Sequence, residues 1–133
     1  MPFPVEEIYI KRTEERLGAE FPSSFRMTVM RDNGGEIETA EDYWQLFPFF
    51  DESDKKRLSR TSNDIVRETQ SARKWPNFPV DCIAIASNGS GDLLVFKRLT
   101  SSDRKLEDTV YFWSHETGEL EKKASSFSEL VQD

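Results

Sequence analysis

Two apolar runs joined by a turn-forming loop occupy residues 82–96, whose sequence is CIAIASNGSGDLLVF. The outer runs, residues 82–86 and 93–96, are short and apolar at successive positions, which is typical of strands buried on both faces. The residues between them, 87–92, are of types that reverse the chain, because glycine adopts positive φ values without steric cost. This stretch therefore predicts two buried strands joined by a turn.

The residues that follow continue this pattern as a meander of strands. Residues 110–113 (VYFW) form a third apolar run, and residues 115–118 (HETG) predict a tight hairpin end with glycine at the positive-φ position. Residues 120–124 predict a weaker edge strand. Ser126 and Glu129 have the spacing of a capping box, which predicts a short last helix with Ser126 as its N-cap.

The first half of the chain has helical patterns instead. Three- and four-residue steps indicate a first helix, with Pro4 in its first turn and these residues on one face: Val5, Ile8, Tyr9, Thr13 and Leu17. Gly18 can end that helix with a left-handed cap. A second helix follows Pro22, with Phe25 and Val29 on one face, and Asn33-Gly34-Gly35 ends it, because Asn and Gly tolerate positive φ.

Residues 36–50 predict one or two strands, since their second half is rich in aromatic and apolar side chains. Residues 51–74 return to a helical pattern, for which Ser62 is the predicted N-cap. Helices, then strands, then a helix indicate an α+β fold. We expect residues 1–133 to form a single domain with a central, largely antiparallel sheet, helices mainly in the N-terminal half and a short C-terminal helix.

The length and charge of the chain exclude several classes of protein. A chain of 133 residues fits one domain, and its ten Phe, three Tyr and three Trp can fill a core. The formal net charge of −7 argues against direct binding to nucleic acid, which needs clustered Lys and Arg. The sequence contains no apolar run of the ~18–20 residues that a bilayer span needs, and its N-terminus lacks signal-peptide features. We therefore expect a cytoplasmic protein without membrane contact.

The chain offers little catalytic chemistry. With one histidine, His115, and one cysteine, Cys82, it cannot form a paired-His or multi-Cys metal site. Cys82 begins an apolar run, so we expect a small buried side chain. The loop 87–92 could cradle a phosphate through its N–H groups, but it leads into a strand rather than a helix, which favours a structural turn. We therefore predict no enzymatic activity, no cofactor and no metal.

Acidic side chains beside aromatic ones give the candidate partner-binding residues. One stretch carries Glu36, Glu38, Glu41, Asp42 and Trp44, which can combine charge complementarity with an aromatic anchor. Asp92 and Glu116, on predicted loops, are secondary candidates. Two other interpretations are open: the carboxylates can form an ordinary solvated edge, and Trp44 can belong to the core.

Together and in this order, these segments resemble the SUKH superfamily, which includes bacterial immunity proteins of polymorphic toxin systems and a fungal regulator of cell-wall glucan synthesis. The resemblance covers about residues 8–131. The matching residues are Leu17-Gly18, Phe21-Pro22, Phe25, Asn33-Gly34-Gly35, Trp44-Gln45-Leu46, 85–93 (IASNGSGDL), 110–113 (VYFW), 115–119 (HETGE) and 124–129 (ASSFSE). Ser90 stands where the family often has a third glycine, and Phe25 where a tyrosine is common.

The resemblance implies an α+β fold without catalytic machinery. For bacterial members it implies stoichiometric binding and neutralisation of a cognate toxin domain, often a nuclease. We therefore expect a monomeric immunity protein whose partner is a basic toxin domain. The alternative is a regulatory or scaffolding interaction domain in signalling or cell-wall control.

Overall fold

The computed structural model describes residues 3–39, 42–100 and 104–130, and these form helices mainly in the first half, two strands in the first half and four in the second, and a short last helix. The described helices are α1 (Glu7–Leu17), α2 (Ser23–Arg31), α3 (Lys55–Arg60), α4 (Ile65–Ala72) and α5 (Phe127–Leu130). The described strands are β1 (Glu36–Glu38), β2 (Tyr43–Leu46), β3 (Cys82–Ser87), β4 (Leu93–Lys97), β5 (Val110–Trp113) and β6 (Leu120–Ala124). This element order confirms the predicted α+β class.

The six strands form one antiparallel sheet in which each strand pairs with its neighbours in sequence, in the order β1-β2-β3-β4-β5-β6. In such a meander the first, third and fifth connections reach the same end of the sheet. We call this end the hairpin end; its described residues are Thr39, Asp42, 88–92 and 114–119. The longer connections, residues 47–81 and 98–109, leave the sheet at the opposite end.

One face of the sheet is packed against aromatic side chains of the helices. Leu46 lies opposite Ala86, which lies opposite Leu94, and in antiparallel strands such partners share a face. The ring of Phe96, two residues beyond Leu94, is 5.2 Å from the ring of Phe25 in α2. Phe25 in turn lies 4.8 Å from Phe127 of α5, so the C-terminal helix closes the same core.

Trp44 belongs to this buried face. Its side chain is fully buried, its ring lies 5.8 Å from that of Phe112, and its indole N–H donates to Oγ1 of Thr39 at 3.3 Å. Tyr43, the preceding residue, points to the other face and is 58% exposed. Strand alternation thus assigns the two neighbouring aromatic residues to different environments.

The first helix differs in detail from the prediction. It begins at Glu7, with Glu6 as its N-cap, so Pro4 lies outside its first turn, and Ile8 is half exposed. The buried positions include Glu14, whose carboxylate accepts the backbone N–H of Phe21 at 2.8 Å. An acidic residue occupies a core-facing position because it has a buried hydrogen-bond partner. The left-handed cap at Gly18, with φ of 66°, is confirmed.

Three other local predictions also need correction. The N-cap of α4 is Asp64, not Ser62, because the Asp64 carboxylate accepts the N–H of Arg67 at 3.1 Å. Asn33 does not adopt a positive φ; instead its amide donates to the carbonyl of Phe49 and accepts the N–H of Phe49. At α5, the Glu129 carboxylate accepts the N–H of Ser125 rather than that of Ser126.

Replacing Trp44 with alanine is predicted to destabilise the fold by about 3–5 kcal/mol, since it removes a large, fully buried ring. Replacing the neighbouring Tyr43 with alanine should change the free energy of unfolding by only about 0.5 kcal/mol, because that side chain is largely exposed. Chemical denaturation of both variants provides the measurement. Equal losses of stability would contradict the assignment of the two faces.

Candidate functional site

The hairpin end brings together acidic residues that lie far apart in the sequence. Asp42 precedes β2, Asp92 precedes β4 and Glu116 follows β5, so the sheet places all three at this end. The predicted residue Glu41 lies outside the described residues. Three of the candidate binding residues therefore come from three different loops of one surface.

A hydrogen-bonded chain of side chains links these loops. The side-chain amide of Asn88 donates to Oδ2 of Asp42 at 3.5 Å and to Oδ2 of Asp92 at 3.4 Å. Oδ1 of Asp92 accepts the backbone N–H of His115 at 3.1 Å and lies 2.7 Å from Nδ1 of the same residue. Because an ionised carboxylate only accepts hydrogen bonds, Nδ1 carries the proton. Asp92 thus holds two loops together, in addition to adding negative charge.

The pKa of Asp92 reflects these contacts. Partial burial raises it, but the hydrogen bonds from His115 and Asn88 together outweigh burial and hold the pKa below its ordinary value of 3.8. The carboxylate is therefore ionised at neutral pH. Asp92 therefore contributes a negative charge to the hairpin end under physiological conditions.

The two remaining acidic candidates, Glu36 and Glu38, lie beside the hairpin end on the open face of β1. Glu38 is opposite Tyr43, and Glu36 is opposite Gln45; all four side chains are exposed. A hydrogen bond with Glu36, reinforced by burial and by the charges of Glu36 and Glu38, raises the pKa of Tyr43. This part of the sheet therefore presents an aromatic side chain among carboxylates to solvent.

The prediction that Trp44 serves as the aromatic anchor is wrong. Its indole faces the core, since strand alternation and the contact with Phe112 place it on the packed face of the sheet. The exposed aromatic side chain of this stretch is that of Tyr43. Of the predicted acidic residues that the structure describes here, Glu36 and Glu38 are exposed and Asp42 is partly buried, whereas the tryptophan is structural.

Sequence reasoning missed Trp75, which lies against the hairpin end. Its ring is 6.0 Å from that of His115 and 6.4 Å from that of Trp113, yet half of its surface is exposed. The loop that carries it is fixed, because the indole N–H of Trp113 donates to the carbonyl of Asn77 at 3.3 Å. The sequence feature that could have drawn attention to Trp75 is its position directly before Pro76, where a helix must end.

A groove of about 510 Å³ adjoins the open face of β1 and β2. Tyr43 and Phe3 contribute aromatic surface to it, and Glu36, Asp51, Arg57 and Arg60 contribute charges of both signs. Arg57 pairs with Asp54 at 2.6 Å and lies 4.4 Å from the centre of the Phe3 ring. The groove is thus of mixed charge, in contrast to the acidic hairpin end.

The glycine loop is built as a turn. Gly89 and Gly91 have positive φ, and the loop leads into β4. The N–H of Gly89 donates to Oγ of Ser87, and the N–H of Ser90 donates to Oδ1 of Asn88. Because these two donors are already used within the loop, they do not form a cradle for phosphate.

The structure also locates the residues considered for catalysis and metal binding. Cys82 is fully buried, and burial is the main cause that raises its pKa to about 12, so its thiol is not a nucleophile at neutral pH. Among the described residues, we find no group of three or more His, Cys, Asp or Glu side chains placed to hold a metal ion. None of the described helices is long and apolar enough to cross a membrane.

Comparison with known families agrees with this architecture. The sequence matches the SMI1 / KNR4 family (SUKH-1) over residues 4–133, which is nearly its full length. The chain belongs to this SUKH family. Its members are immunity or regulatory domains that act through protein–protein interaction, and the match confirms the resemblance seen in the sequence. A search of curated proteins returned no match.

Replacing Asp92 with asparagine is predicted to lower the free energy of unfolding at pH 7 by about 1–2 kcal/mol, through loss of charge-assisted hydrogen bonds. The folded-state pKa of Asp92 is depressed, so its ionised form stabilises the fold above pH 3.8, and this contribution is lost as pH falls through the folded-state value. The difference in free energy of unfolding between the wild type and the variant should therefore become smaller below pH 3.8. Urea denaturation across pH tests this, and a difference that is constant down to pH 2 would contradict it.

Replacing Gly118 with alanine is predicted to destabilise the protein more than the same change at Gly89. Both glycines have positive φ, which costs a residue with a Cβ about 1–2 kcal/mol. A Cβ at Gly118 would also lie 2.4 Å from Cβ of Asn77, whereas one at Gly89 meets nothing within 4 Å. Thermal unfolding of the two variants distinguishes the cost of the contact with Asn77 from the cost of backbone strain. Equal losses of stability would show that a Cβ at Gly118 does not clash with Asn77.

Proposed function

We propose that this SUKH protein is a non-enzymatic immunity protein of the cytoplasm, which binds and neutralises a cognate toxin domain as a monomer and in a stoichiometric complex. The observation that carries the proposal is the convergence of Asp42, Asp92 and Glu116 on three loops of the hairpin end. Membership of a family of interaction domains supports a binding role rather than catalysis.

The charge of this surface indicates the chemistry of the toxin domain. Carboxylates on three loops, next to Glu36 and Glu38 on β1, favour a partner with a positively charged surface. A nuclease has such a surface where it binds phosphates. An acidic protein can occupy those phosphate positions and associates quickly through electrostatic steering. We therefore propose a basic toxin domain, and a nuclease in particular, as the partner.

Affinity capture identifies the partner. The tagged protein is exposed to lysate of the source organism at low and moderate salt, and bound proteins are identified by mass spectrometry. Recovery of the C-terminal domain of a large secreted protein, whose toxicity in cells is suppressed by co-expression of this chain, is the expected result. Recovery of kinases or wall-synthesis proteins without any such domain would contradict the proposal and favour the regulatory alternative.

With that toxin domain in hand, charge reversal tests the binding surface. Changing both Glu38 and Glu116 to lysine should lower the association rate constant at least about tenfold at low salt, and the effect should shrink as salt rises. Stopped-flow measurement of association provides the readout. The control is Asp108→Lys, which changes an exposed carboxylate in the connection at the opposite end of the sheet. Equal effects of the control and the double variant would contradict the placement of the interface.

A further inference from the structure

Trp75 has an unusual combination of exposure and rigidity. Indole rings supply large apolar area and are highly buried on average, yet this one is 50% exposed. Edge contacts with Trp113 and His115, at ring-centre distances of 6.4 Å and 6.0 Å, restrict the orientation of the ring. An exposed ring that is already fixed loses little conformational entropy when a partner covers it, which is the property of an interface anchor.

The loop that carries Trp75 is docked on the sheet through two further residues, Asn77 and Phe78. Phe78 packs against Trp113 with ring centres 5.1 Å apart, and Asn77 lies against Gly118 in the β5–β6 loop. His115, the ring beside Trp75, is itself bound to Asp92 at 2.7 Å. Trp75 is therefore joined through His115 to the side chains that connect the three hairpin loops.

The charges near Trp75 determine which type of group from a partner can bind to its indole ring. The described residues of the hairpin end carry four carboxylates, Asp42, Asp92, Glu116 and Glu119, and no Lys or Arg, although Arg73 and Lys74 precede Trp75 in the sequence. Carboxylates repel the phosphates of a nucleic acid, which argues against base stacking on this indole. A cation is attracted both by the face of an indole ring and by the neighbouring carboxylates.

We propose that Trp75 is the anchor of the hairpin-end interface and that it receives an arginine side chain from a basic segment of the partner. The planar guanidinium stacks on an indole and bonds carboxylates in a fixed fork, which the ammonium of lysine cannot do. Glu116, which follows His115 on the β5–β6 loop, is exposed, and we expect its carboxylate to pair with that guanidinium. This proposal rests on the proposed function, because it names the contact by which the acidic surface recognises a basic partner.

A peptide titration of the whole chain tests the anchor without the natural partner. The probe is the capped peptide Gly-Arg-Gly-Arg-Gly, and its matched controls carry lysine or uncharged citrulline at the arginine positions. Two-dimensional NMR follows the three indole N–H signals, with that of Trp75 assigned through Trp75→Leu. We expect a saturable shift of the Trp75 signal, at least threefold tighter with arginine than with lysine, and no shift with citrulline. In the variants, which lack this indole signal, the backbone signals of residues 114–116 are the readout: Trp75→Phe should keep part of the preference for arginine, and Trp75→Leu should abolish it.

The possible outcomes distinguish the role proposed for Trp75 from the role proposed for the acidic hairpin end. In one outcome the arginine and lysine peptides bind equally, and the backbone signals of residues 114–116 shift while that of Trp75 does not. This would contradict the role of Trp75 as anchor but would still support the acidic surface. Shifts confined to residues far from the hairpin end would overturn both. Concentration-dependent broadening of the Trp75 signal without peptide would show that a second copy covers the ring, which also contradicts the proposal.

Discussion

The pairing of β3 with β4 determines where every other strand and loop of this protein lies. It joins two apolar runs at the centre of the sheet, and β2 and β5 add to its two edges by the same antiparallel pairing. Because each strand pairs with its sequence neighbours, loops that are distant in the chain meet at one end. The candidate site is thus a consequence of the meander, and its residues need no proximity in sequence.

Different carboxylates in this protein have different tasks, and their surroundings distinguish them. Glu14 is buried and satisfies the backbone N–H of Phe21, so it stabilises the fold. Asp92 is partly buried and holds the β5–β6 loop through His115. Glu38 and Glu116 are exposed, and the structure uses neither as a buried bond partner. Those exposed groups are the ones whose charge can act on a partner, since an approaching cation can reach them directly.

Much of the fold follows from local patterns in the sequence. The apolar runs at 82–86, 93–96 and 110–113 became β3, β4 and β5, and Gly18 ends α1 with a left-handed cap as predicted. Asp42, Asp92 and Glu116 were selected for their charge and their predicted positions near turns. The predicted meander of the second half accounts for Asp92 and Glu116 at one end, whereas the placement of Asp42 required the pairing of β2 with β3, which local patterns do not contain.

The errors concern side chains whose environment is decided by distant parts of the chain. Tyr43 and Trp44 alternate on β2, and the choice of the buried one depends on Phe112, which lies far along the sequence. The sequence alone indicates a surface position for Glu14, and its burial is explained only by its hydrogen bond with the backbone N–H of Phe21. Trp75 reads as a helix-ending residue, and its position against His115 depends on how its loop crosses the sheet.

Hydrogen–deuterium exchange of the protein, alone and bound to its toxin domain, tests the central claim that the hairpin end is the recognition surface. The account predicts slower exchange in residues 88–92 and 114–119 on binding, together with residues around Trp75. Slower exchange confined to residues 98–109, at the opposite end of the sheet, or to α1 and α2 would contradict it.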